Sequence, residues 1–362
     1  MTLRLTLAAI ATLIAVPAMA QEKVVHIYNW SDYIAEDTVK KFEEATGIKV
    51  VYDVYDSNET LEAKLLAGNS GYDVVVPTSQ FMQRQAAAGV YQPLNKDALP
   101  NLVNMDPALM ANATAYDPDN TYGVPYMWGT TGIGYNVAKV KERLGEDAPV
   151  NSWKLVFDPQ YASKLADCGI TMLDSSSDVM PSALAYLGLD PKTSDPDQLT
   201  KAADLLMTVR PYIRKFSSSE YISDLANGEV CVSLGFSGDV FIAAARAIEV
   251  KNGVEIAYSV PTEGALQWFD MMAIPADAPN PEGALAWINF MMEPEIAAAN
   301  TDFVWYATAN KAALPLINPE ITGDPAIFPP AEVLAKLFPA VVQNARTDRI
   351  VTRLWTTVRT GK

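Results

Sequence analysis

A run of four side chains near the start of the chain could together bind an organic cation: Trp30, Ser31, Asp32 and Tyr33. The carboxylate would pair with the positive charge, and the aromatic faces would attract an ammonium group and cover the carbon chain that carries it. The run follows residues 24–28, which have the pattern of a β-strand. Aromatic residues at the end of a strand also commonly belong to a hydrophobic core, so their place in the fold decides between the two interpretations.

The first third of the chain alternates between strand and helix patterns. The predicted strands are 24–28, 48–55 and 72–76. The first predicted helix is 35–46, the second begins after the cap residue Ser57 and ends at Gly68, and the third begins at Ser79. Strands separated by helices form parallel βαβ units, whose ligands bind beyond the carboxyl ends of the strands. Residues 30–33 and 78–81 lie at such ends, which favours a binding site at both places.

The remaining sequence predicts a second lobe. Proline and glycine cluster in residues 118–134, which indicates a boundary between lobes, and 131–135 would begin a strand of the second lobe. Further predicted elements are a helix at 219–226, a strand at 254–261 that returns to the first lobe, a strand at 269–274, a helix at 282–292 and a surface loop at 324–331.

Composition and charge indicate a globular, exported protein. Apolar residues make up 49% of the 362 residues, and the formal net charge of −16 disfavours nucleic acid and anionic lipid as partners. Residues 1–20 have the pattern of a signal peptide that is removed on export, with Arg4 before an apolar run and Ala18-Met19-Ala20 as the cleavage site. We therefore expect a soluble protein in the periplasm, while a retained N-terminal anchor stays an alternative.

Two cysteines and one histidine limit the chemistry that the chain could perform. In an oxidising compartment, Cys168 and Cys231 are expected to form one structural disulfide between neighbouring strands. Catalysis by a Ser-His-Asp triad and zinc sites with several histidines would both need His26, which alternates with apolar residues in a strand pattern. The sequence has no Walker A loop, dinucleotide-binding fingerprint or calcium-loop pattern. We therefore expect no cofactor and no metal.

Several stretches resemble the periplasmic polyamine-binding proteins of bacterial ABC transporters, most closely the putrescine-binding branch. These stretches are HIYNWSDYI at 26–34, PYMW at 125–128, TGIGYN at 131–136, YISDLANG at 221–228, GDV at 238–240 and ANKAA at 309–313. The resemblance implies an α/β fold of two lobes, with the ligand in the cleft between them and crossover strands joining them. On this basis we predict an N-terminal lobe of residues 21–130 and 248–303, and a C-terminal lobe of 131–247 and 304–362.

The resemblance also implies the residues of the binding site. Threonine replaces the usual serine at 78, aspartate the usual glutamate at 178, phenylalanine a tryptophan at 236, and tryptophan the common phenylalanine at 268. These exchanges keep the chemistry of the site but change its shape, so they leave the length of the ligand open. The implied ligand-binding residues are Trp30, Ser31, Asp32, Tyr33, Thr78, Asp178, Phe236, Asp239, Trp268, Asp270 and Tyr306, and Cys168 and Cys231 match the family's disulfide pair.

These residues predict a binding protein rather than an enzyme. A diamine such as putrescine carries an ammonium group at each end of four methylenes, so burying it requires carboxylates at both ends and an apolar sleeve between them. We expect Asp239 and Asp270 to hold one end, with Asp178 and Asp32 near the other. Closure of the lobes around the ligand would present a monomer to an ABC permease in the inner membrane.

Three alternatives stay open at this point. A binder of the same family that prefers spermidine would use the room at Phe236 and a third acid. A periplasmic hydrolase would use two of the carboxylates as acid and base, although the aromatic side chains suit an unreactive cation better. A sensory adaptor for a chemoreceptor or kinase would share the site and differ only in its partner.

Overall fold

The computed structural model describes residues 23–362, so the predicted signal peptide lies outside the described residues. Within them the strands are β1 (Val24–Trp30), β2 (Lys49–Tyr55), β3 (Val74–Val75), β4 (Gly123–Asn136), β5 (Ile170–Met172), β6 (Ile213–Phe216), β7 (Val232–Phe236), β8 (Ile256–Ser259), β9 (Leu266–Ala273), β10 (Ala307–Thr308) and β11 (Phe338–Pro339). The helices are α1 (Thr38–Thr46), α2 (Asn58–Leu66), α3 (Ser79–Ala87), α4 (Pro107–Ala113), α5 (Val137–Leu144), α6 (Lys154–Phe157), α7 (Pro159–Leu165), α8 (Ser176–Tyr186), α9 (Pro196–Val209), α10 (Glu220–Ala226), α11 (Ser237–Glu249), α12 (Pro281–Met291), α13 (Pro294–Val304), α14 (Pro319–Thr322), α15 (Ala331–Leu334) and α16 (Ala345–Thr360).

The first lobe is built on the parallel βαβ units that the sequence predicted. Strand β1 lies between β2 and β3 and runs parallel to both, while α1 and α2 make the connections. Helix α1 begins at Thr38 rather than at Ala35, and the predicted strand at 72–76 shortens to Val74–Val75. Ser57 caps α2 by accepting a hydrogen bond from the Thr60 amide, as its position before the helix predicted.

A long strand carries the chain from one lobe to the other. The 14 residues of β4 pair antiparallel with β9 over 123–131 and with β7 over 131–135. The segment 118–134 therefore crosses between the lobes. From Gly123 onward it belongs to one continuous strand, and the predicted strand at 131–135 is the last part of that strand. Pro125 is tolerated because the pairing register with β9 shifts between Pro125 and Met127.

The predicted position of the strand that returns to the first lobe is wrong. The segment 254–261 contains β8, which pairs antiparallel with β4 at residues 133–136 and so remains beside the second lobe. The return is made by β9, which begins at Leu266, three residues earlier than predicted, and ends beside β3. The resulting strand order is β2-β1-β3-β9-β4-β7-β5-β6, so the sheets of the two lobes share the crossover strands β4 and β9.

A disulfide ties two parallel strands of the second lobe. The pairing of Ile170 with Val232 places β5 directly beside β7. Cys168 lies two residues before β5 and Cys231 immediately before β7, and the two are bonded with their Cα atoms 5.5 Å apart. The predicted disulfide between neighbouring strands is therefore confirmed.

The chain crosses between the lobes again near its end. Strand β10 pairs with β4 at Met127 and Trp128, and the amide of Asp106 donates to the carbonyl of Ala309, so this segment contacts the first lobe. Strand β11 then pairs with β9, and α16 packs against α9 in the second lobe. The predicted lobe boundaries stay a prediction, and these contacts favour assigning the segment around β10 to the first lobe.

Between residues 23 and 362, none of the helices combines the length and the apolar character that a membrane crossing requires.

Candidate functional site

A cavity of about 690 Å³ lies in the cleft between the lobes. Ten of the eleven predicted site residues line it, and only Asp32 does not. Among the residues that the structure describes, no lysine, arginine or histidine contributes to this lining. The predicted residues that line the cavity are Trp30, Ser31, Tyr33, Thr78, Asp178, Phe236, Asp239, Trp268, Asp270 and Tyr306.

Asp270 is held by two hydroxyl groups of the first lobe. It lies on the crossover strand β9, and its carboxylate accepts hydrogen bonds of 2.8 Å from Tyr33 and from Thr78. Asn58 donates in turn to the Thr78 hydroxyl over 2.8 Å, which fixes the direction in which that hydroxyl donates. Burial raises the pKa of the Asp270 carboxyl to about 7, and the carboxylates of Asp178 and Asp239 contribute to the rise.

Asp239 is held in the same way by two tyrosines. It is the third residue of α11, and its two carboxylate oxygens accept hydrogen bonds of 2.7 Å from Tyr221 and Tyr306. Gly238 permits this arrangement, because a Cβ atom there would lie 2.3 Å from the ring of Tyr306. Burial raises the pKa of Asp239 to about 6, although both tyrosine hydroxyls act in the opposite direction.

Asp178 completes the set of three buried aspartates. It is the third residue of α8, and it accepts hydrogen bonds from Thr131 over 2.7 Å and from Ser175 over 2.6 Å. Burial raises the pKa of its carboxyl as well. Each aspartate is thus held by neutral hydroxyl groups, and none of the three forms an ion pair within residues 23–362. Their negative charge is therefore available to a cationic ligand.

The aromatic side chains form a continuous series around the cavity. The centroid of the Phe236 ring lies 6.3 Å from that of Trp30 and 5.7 Å from that of Trp268. Tyr306 continues the series, with its ring centroid 5.4 Å from Trp268 and 5.1 Å from Tyr33. The rings meet in edge-to-face and tilted arrangements, and Trp30, Tyr33, Phe236, Trp268 and Tyr306 line the same cavity as the three aspartates. The faces of aromatic rings can cover methylene groups and attract an ammonium group.

Asp32 lies outside the lining of the cavity. Its backbone has a positive φ of 55°, and its carboxylate forms an ion pair of 2.5 Å with Arg246 of α11. The pair joins the first lobe to the second, and the Asp32 carboxylate contributes to the raised pKa of Asp239. Asp32 is therefore close to the site, but its predicted contact with a ligand stays a prediction.

The sequence analysis did not identify about half of the lining. Tyr55, Ser57, Asn58, Glu59 and Gln80 come from the strand ends and helix starts of the first lobe. Gln80 lies in the stretch 78–81, which the strand-end rule had marked. The second lobe adds Ile222 of α10 and three residues that precede helices, and the position of all four depends on distant pairing: Ser175, Ser218, Ser219 and Ile222. Since they are small or apolar, their residue types gave no chemical signal.

Comparisons with known proteins show the family to which the chain belongs. Residues 37–329 match the family described as bacterial extracellular solute-binding protein. The chain is 53% identical over 344 residues to the putrescine-binding periplasmic protein PotF of Escherichia coli (strain K12), covering 95% of this chain and 93% of that protein. It is 53% identical over 360 residues to the putrescine-binding periplasmic protein SpuD of Pseudomonas aeruginosa (strain UCBPP-PA14), covering 99% and 98%.

Solved structures share the fold over nearly the whole chain. The structure of a putative spermidine/putrescine ABC transporter from Listeria monocytogenes superposes with a TM-score of 0.84 at 33% identity, and covers 94% of this chain and 100% of that one. The two-lobed α/β fold that the resemblance implied is therefore confirmed. The chain belongs to the bacterial extracellular solute-binding proteins and, within them, to the periplasmic polyamine-binding proteins.

Proposed function

We propose that this protein captures a linear diamine, with putrescine as the first choice, in the cleft between its lobes and delivers it to an ABC permease. One observation carries the proposal: three buried aspartates, which form no ion pair within residues 23–362, line a cavity that aromatic rings surround. A dication would supply the positive charges with which the aspartates pair, and the rings would enclose its methylene groups. The names of the relatives at 53% identity supply the choice of putrescine.

In this proposal the ten predicted residues that line the cavity all contact the ligand. Asp239 and Asp270 would hold one ammonium group and Asp178 the other, and Asp32 would act on the ligand at longer range. These contacts are strong enough for micromolar affinity, which requires a binding free energy of only about −8 kcal/mol. One cation–π contact contributes roughly 0.5–2 kcal/mol, and a few such contacts with the charge pairs reach that value after the cost of ordering.

The proposal also covers location and partners. We infer that residues 1–20 direct export and are removed, and that the monomer works in the periplasm with a permease of the inner membrane. Closure follows if the ligand contacts both lobes, since it then binds the closed form more tightly than the open one. The site is proposed to bind its ligand without transforming it, because the relatives at 53% identity are named as binding proteins.

Calorimetric titration of the purified mature protein with putrescine, cadaverine and spermidine tests the proposal. We expect putrescine to bind with micromolar or tighter affinity and to be recovered intact after incubation. Tighter binding of spermidine than of putrescine would overturn the first choice. The absence of heat and of thermal stabilisation with every linear diamine and triamine would overturn the proposal as a whole, as would turnover of the amine.

A further inference from the structure

The last helix of the chain differs in charge from the rest of the protein. Residues 345–362, which comprise α16 and the two residues after it, contain five basic side chains and one acidic one, although the whole chain has a formal net charge of −16. The basic side chains are Arg346, Arg349, Arg353, Arg359 and Lys362. A strongly acidic protein therefore presents one basic helix, and such a helix attracts anionic partners.

Three of these arginines form a stripe along the exposed side of α16. Arg346, Arg349 and Arg353 are spaced three and four residues apart, so they lie on one face of the helix. All three are exposed, whereas Trp355 and Val358 on the opposite face are buried. We call Arg346, Arg349 and Arg353 the arginine stripe.

The guanidinium groups of the arginine stripe form no ion pair and no hydrogen bond within residues 23–362. Each of the six other arginines in that range pairs with a carboxylate or donates to a backbone carbonyl. These six are Arg84, Arg143, Arg210, Arg214, Arg246 and Arg359. Because the chain has 43 acidic and only 27 basic side chains, the cause is not a shortage of acids. The donors of the stripe are therefore available to another molecule.

The helix holds the stripe rigidly against the second lobe. Asn344 caps its N-terminus by accepting hydrogen bonds from the amides of Arg346 and Thr347, and α16 packs against α9 and α8. Trp355 anchors the buried face, with its ring centroid 5.4 Å from that of Phe216. Side chains on a fixed helix lose less conformational entropy on binding than those on a mobile tail, which favours a specific contact.

Helix α16 also lies where the two lobes meet. A carboxylate oxygen of Asp348 is 3.8 Å from a guanidinium nitrogen of Arg84, which belongs to α3 of the first lobe. Val351 and Thr352 line a cavity that Phe81 of α3 also lines. A partner bound to the arginine stripe would therefore lie beside the boundary between the lobes.

The partner that these observations favour is the permease. A passage that admits a polycation needs acidic groups near its entrance, for the same reason that the binding cavity of this protein has three buried aspartates. Two acidic surfaces repel one another, and a local basic stripe offsets that repulsion and fixes the orientation of the contact. A broad anionic lipid surface fits less well, because it would also approach the rest of this strongly acidic protein.

We propose that the arginine stripe docks on an acidic periplasmic surface of the membrane permease that takes up the amine. The guanidinium groups pair with carboxylates of that surface, and the contact places the boundary between the lobes next to the permease. This inference rests on the proposed function, because it assigns a surface of the protein to the delivery step.

Replacing the stripe by glutamine tests the docking, with Arg346→Gln, Arg349→Gln and Arg353→Gln combined in one variant. The putrescine permease of the same bacterium, with its ATPase subunits, is reconstituted in phosphatidylcholine vesicles, and its ATPase activity is measured against the concentration of putrescine-loaded protein. We expect the half-maximal concentration to rise roughly ten-fold, because three exposed charge pairs are lost. Putrescine affinity in calorimetry should stay within about three-fold, since the stripe lies outside the lining of the binding cavity.

A lysine variant separates the charge of the stripe from its shape. Arg346→Lys, Arg349→Lys and Arg353→Lys together keep the three positive charges, and they should restore most of the response that the glutamine variant loses. Added salt should weaken the response of the unsubstituted protein and of the lysine variant more than that of the glutamine variant. A salt dependence that is equal in all three proteins would contradict docking by charge.

A charge control uses basic residues outside α16. Lys154→Gln, Lys164→Gln and Lys251→Gln together remove the same charge from exposed positions, none of which forms an ion pair between residues 23 and 362. We expect this variant to change the half-maximal concentration by less than about three-fold. An equal rise in the control and in the glutamine variant of the stripe, or no rise in either, would overturn the docking surface.

Vesicles without the permease distinguish a lipid partner from a protein partner. Phosphatidylglycerol vesicles should not retain the unsubstituted protein on sedimentation at physiological salt. Sedimentation that depends on the arginine stripe would show that the stripe binds lipid, and would overturn the permease as its partner. If the unsubstituted protein binds no putrescine, or never stimulates the permease, the proposed function itself fails. A permease that responds equally to the unsubstituted protein and to the glutamine variant refutes only the docking surface.

Discussion

At the scale of single residues, the site is built from acids that neutral hydroxyl groups hold in place. The hydroxyls of Tyr33 and Thr78 fix the Asp270 carboxylate, and those of Tyr221 and Tyr306 fix Asp239. Hydroxyl donors stabilise a carboxylate without neutralising it, so the unliganded site keeps its attraction for a cation. A lysine or arginine in their place would compete with the ligand for the same oxygens.

Asp270→Asn should therefore lower amine affinity strongly while the fold persists. Asparagine has nearly the same volume but no charge, and losing one partner of a buried charge pair costs about 2–5 kcal/mol. We expect a loss of roughly 30-fold or more in calorimetric titrations with putrescine. The Tm of the variant without ligand should remain close to that of the unsubstituted protein, because a carboxyl that is costly to bury is replaced by a neutral amide.

Asp32→Asn provides the comparison. Asp32 and its partner Arg246 are 38% and 41% exposed, and exposed ion pairs contribute about 0–1 kcal/mol. Because Asp32 lies outside the cavity lining, we expect its substitution to change putrescine affinity by less than about five-fold. A loss as large as that of Asp270→Asn would show that Asp32 contacts the ligand directly, as the sequence analysis predicted.

At the scale of elements, local patterns predicted the first lobe well because its contacts are local in sequence. The strands at 24–28 and 48–55 and the cap at Ser57 were expected from alternation and side-chain type, and each occurs close to its predicted place. The crossovers were harder to predict, since a proline- and glycine-rich segment normally indicates a turn. In β4 the antiparallel partners β7 and β9 overcome that preference, and such distant pairing leaves no local signal.

The same reasoning explains which parts of the site the sequence revealed. Carboxylates and large rings carry a recognisable chemistry, so Asp178, Asp239 and Trp268 could be singled out by type and by resemblance. Ser218 and Ile222 do not carry such a signal, and they line the cavity because the pairing of β5, β6 and β7 places the start of α10 there. The ion pair of Asp32 likewise depends on α11, which lies about 200 residues away.

The disulfide should stabilise the second lobe with little influence on binding. It joins residues 63 apart at the starts of β5 and β7, on strands that end near the cleft. We expect the double variant Cys168→Ser, Cys231→Ser to lose about 2–5 kcal/mol of unfolding free energy. Denaturant unfolding measures that loss, and titration under native conditions should give a putrescine affinity within about three-fold of the original. A much larger loss of affinity would mean that the bond also positions the site.

At the scale of the whole molecule, the two lobes bring together acids that would otherwise repel one another. Asp178 and Asp239 belong to α8 and α11 of the second lobe, whereas Asp270 lies on a strand that both lobes share. The carboxylates of Asp178 and Asp239 both contribute to the raised pKa of Asp270, so the cleft concentrates negative charge. A polycation between the lobes removes this repulsion, which links its binding to closure.

This concentration of acid makes the stability of the unliganded protein depend on pH. Burial raises the pKa of Asp270 to about 7 and that of Asp239 to about 6, whereas aspartate in an unfolded chain titrates near 3.9. Between about pH 4 and pH 7 the folded state therefore binds more protons than the unfolded state. The contribution of these two groups to the free energy of unfolding falls as the pH rises through this window.

A bound diamine should reverse that contribution. Its ammonium groups favour the ionised carboxylates, so binding lowers the pKa of Asp270 and Asp239 and releases protons from a protein that starts near neutral pH. The amine itself stays doubly charged below about pH 9, since alkyl ammonium groups titrate near 10. We expect the rise in Tm on adding saturating putrescine to grow from pH 5 to pH 8, and to depend less on pH in Asp270→Asn. A rise in Tm that is constant from pH 5 to pH 8 would contradict this coupling of amine binding to proton release, because protonated aspartates cannot bind the dication as tightly as ionised ones.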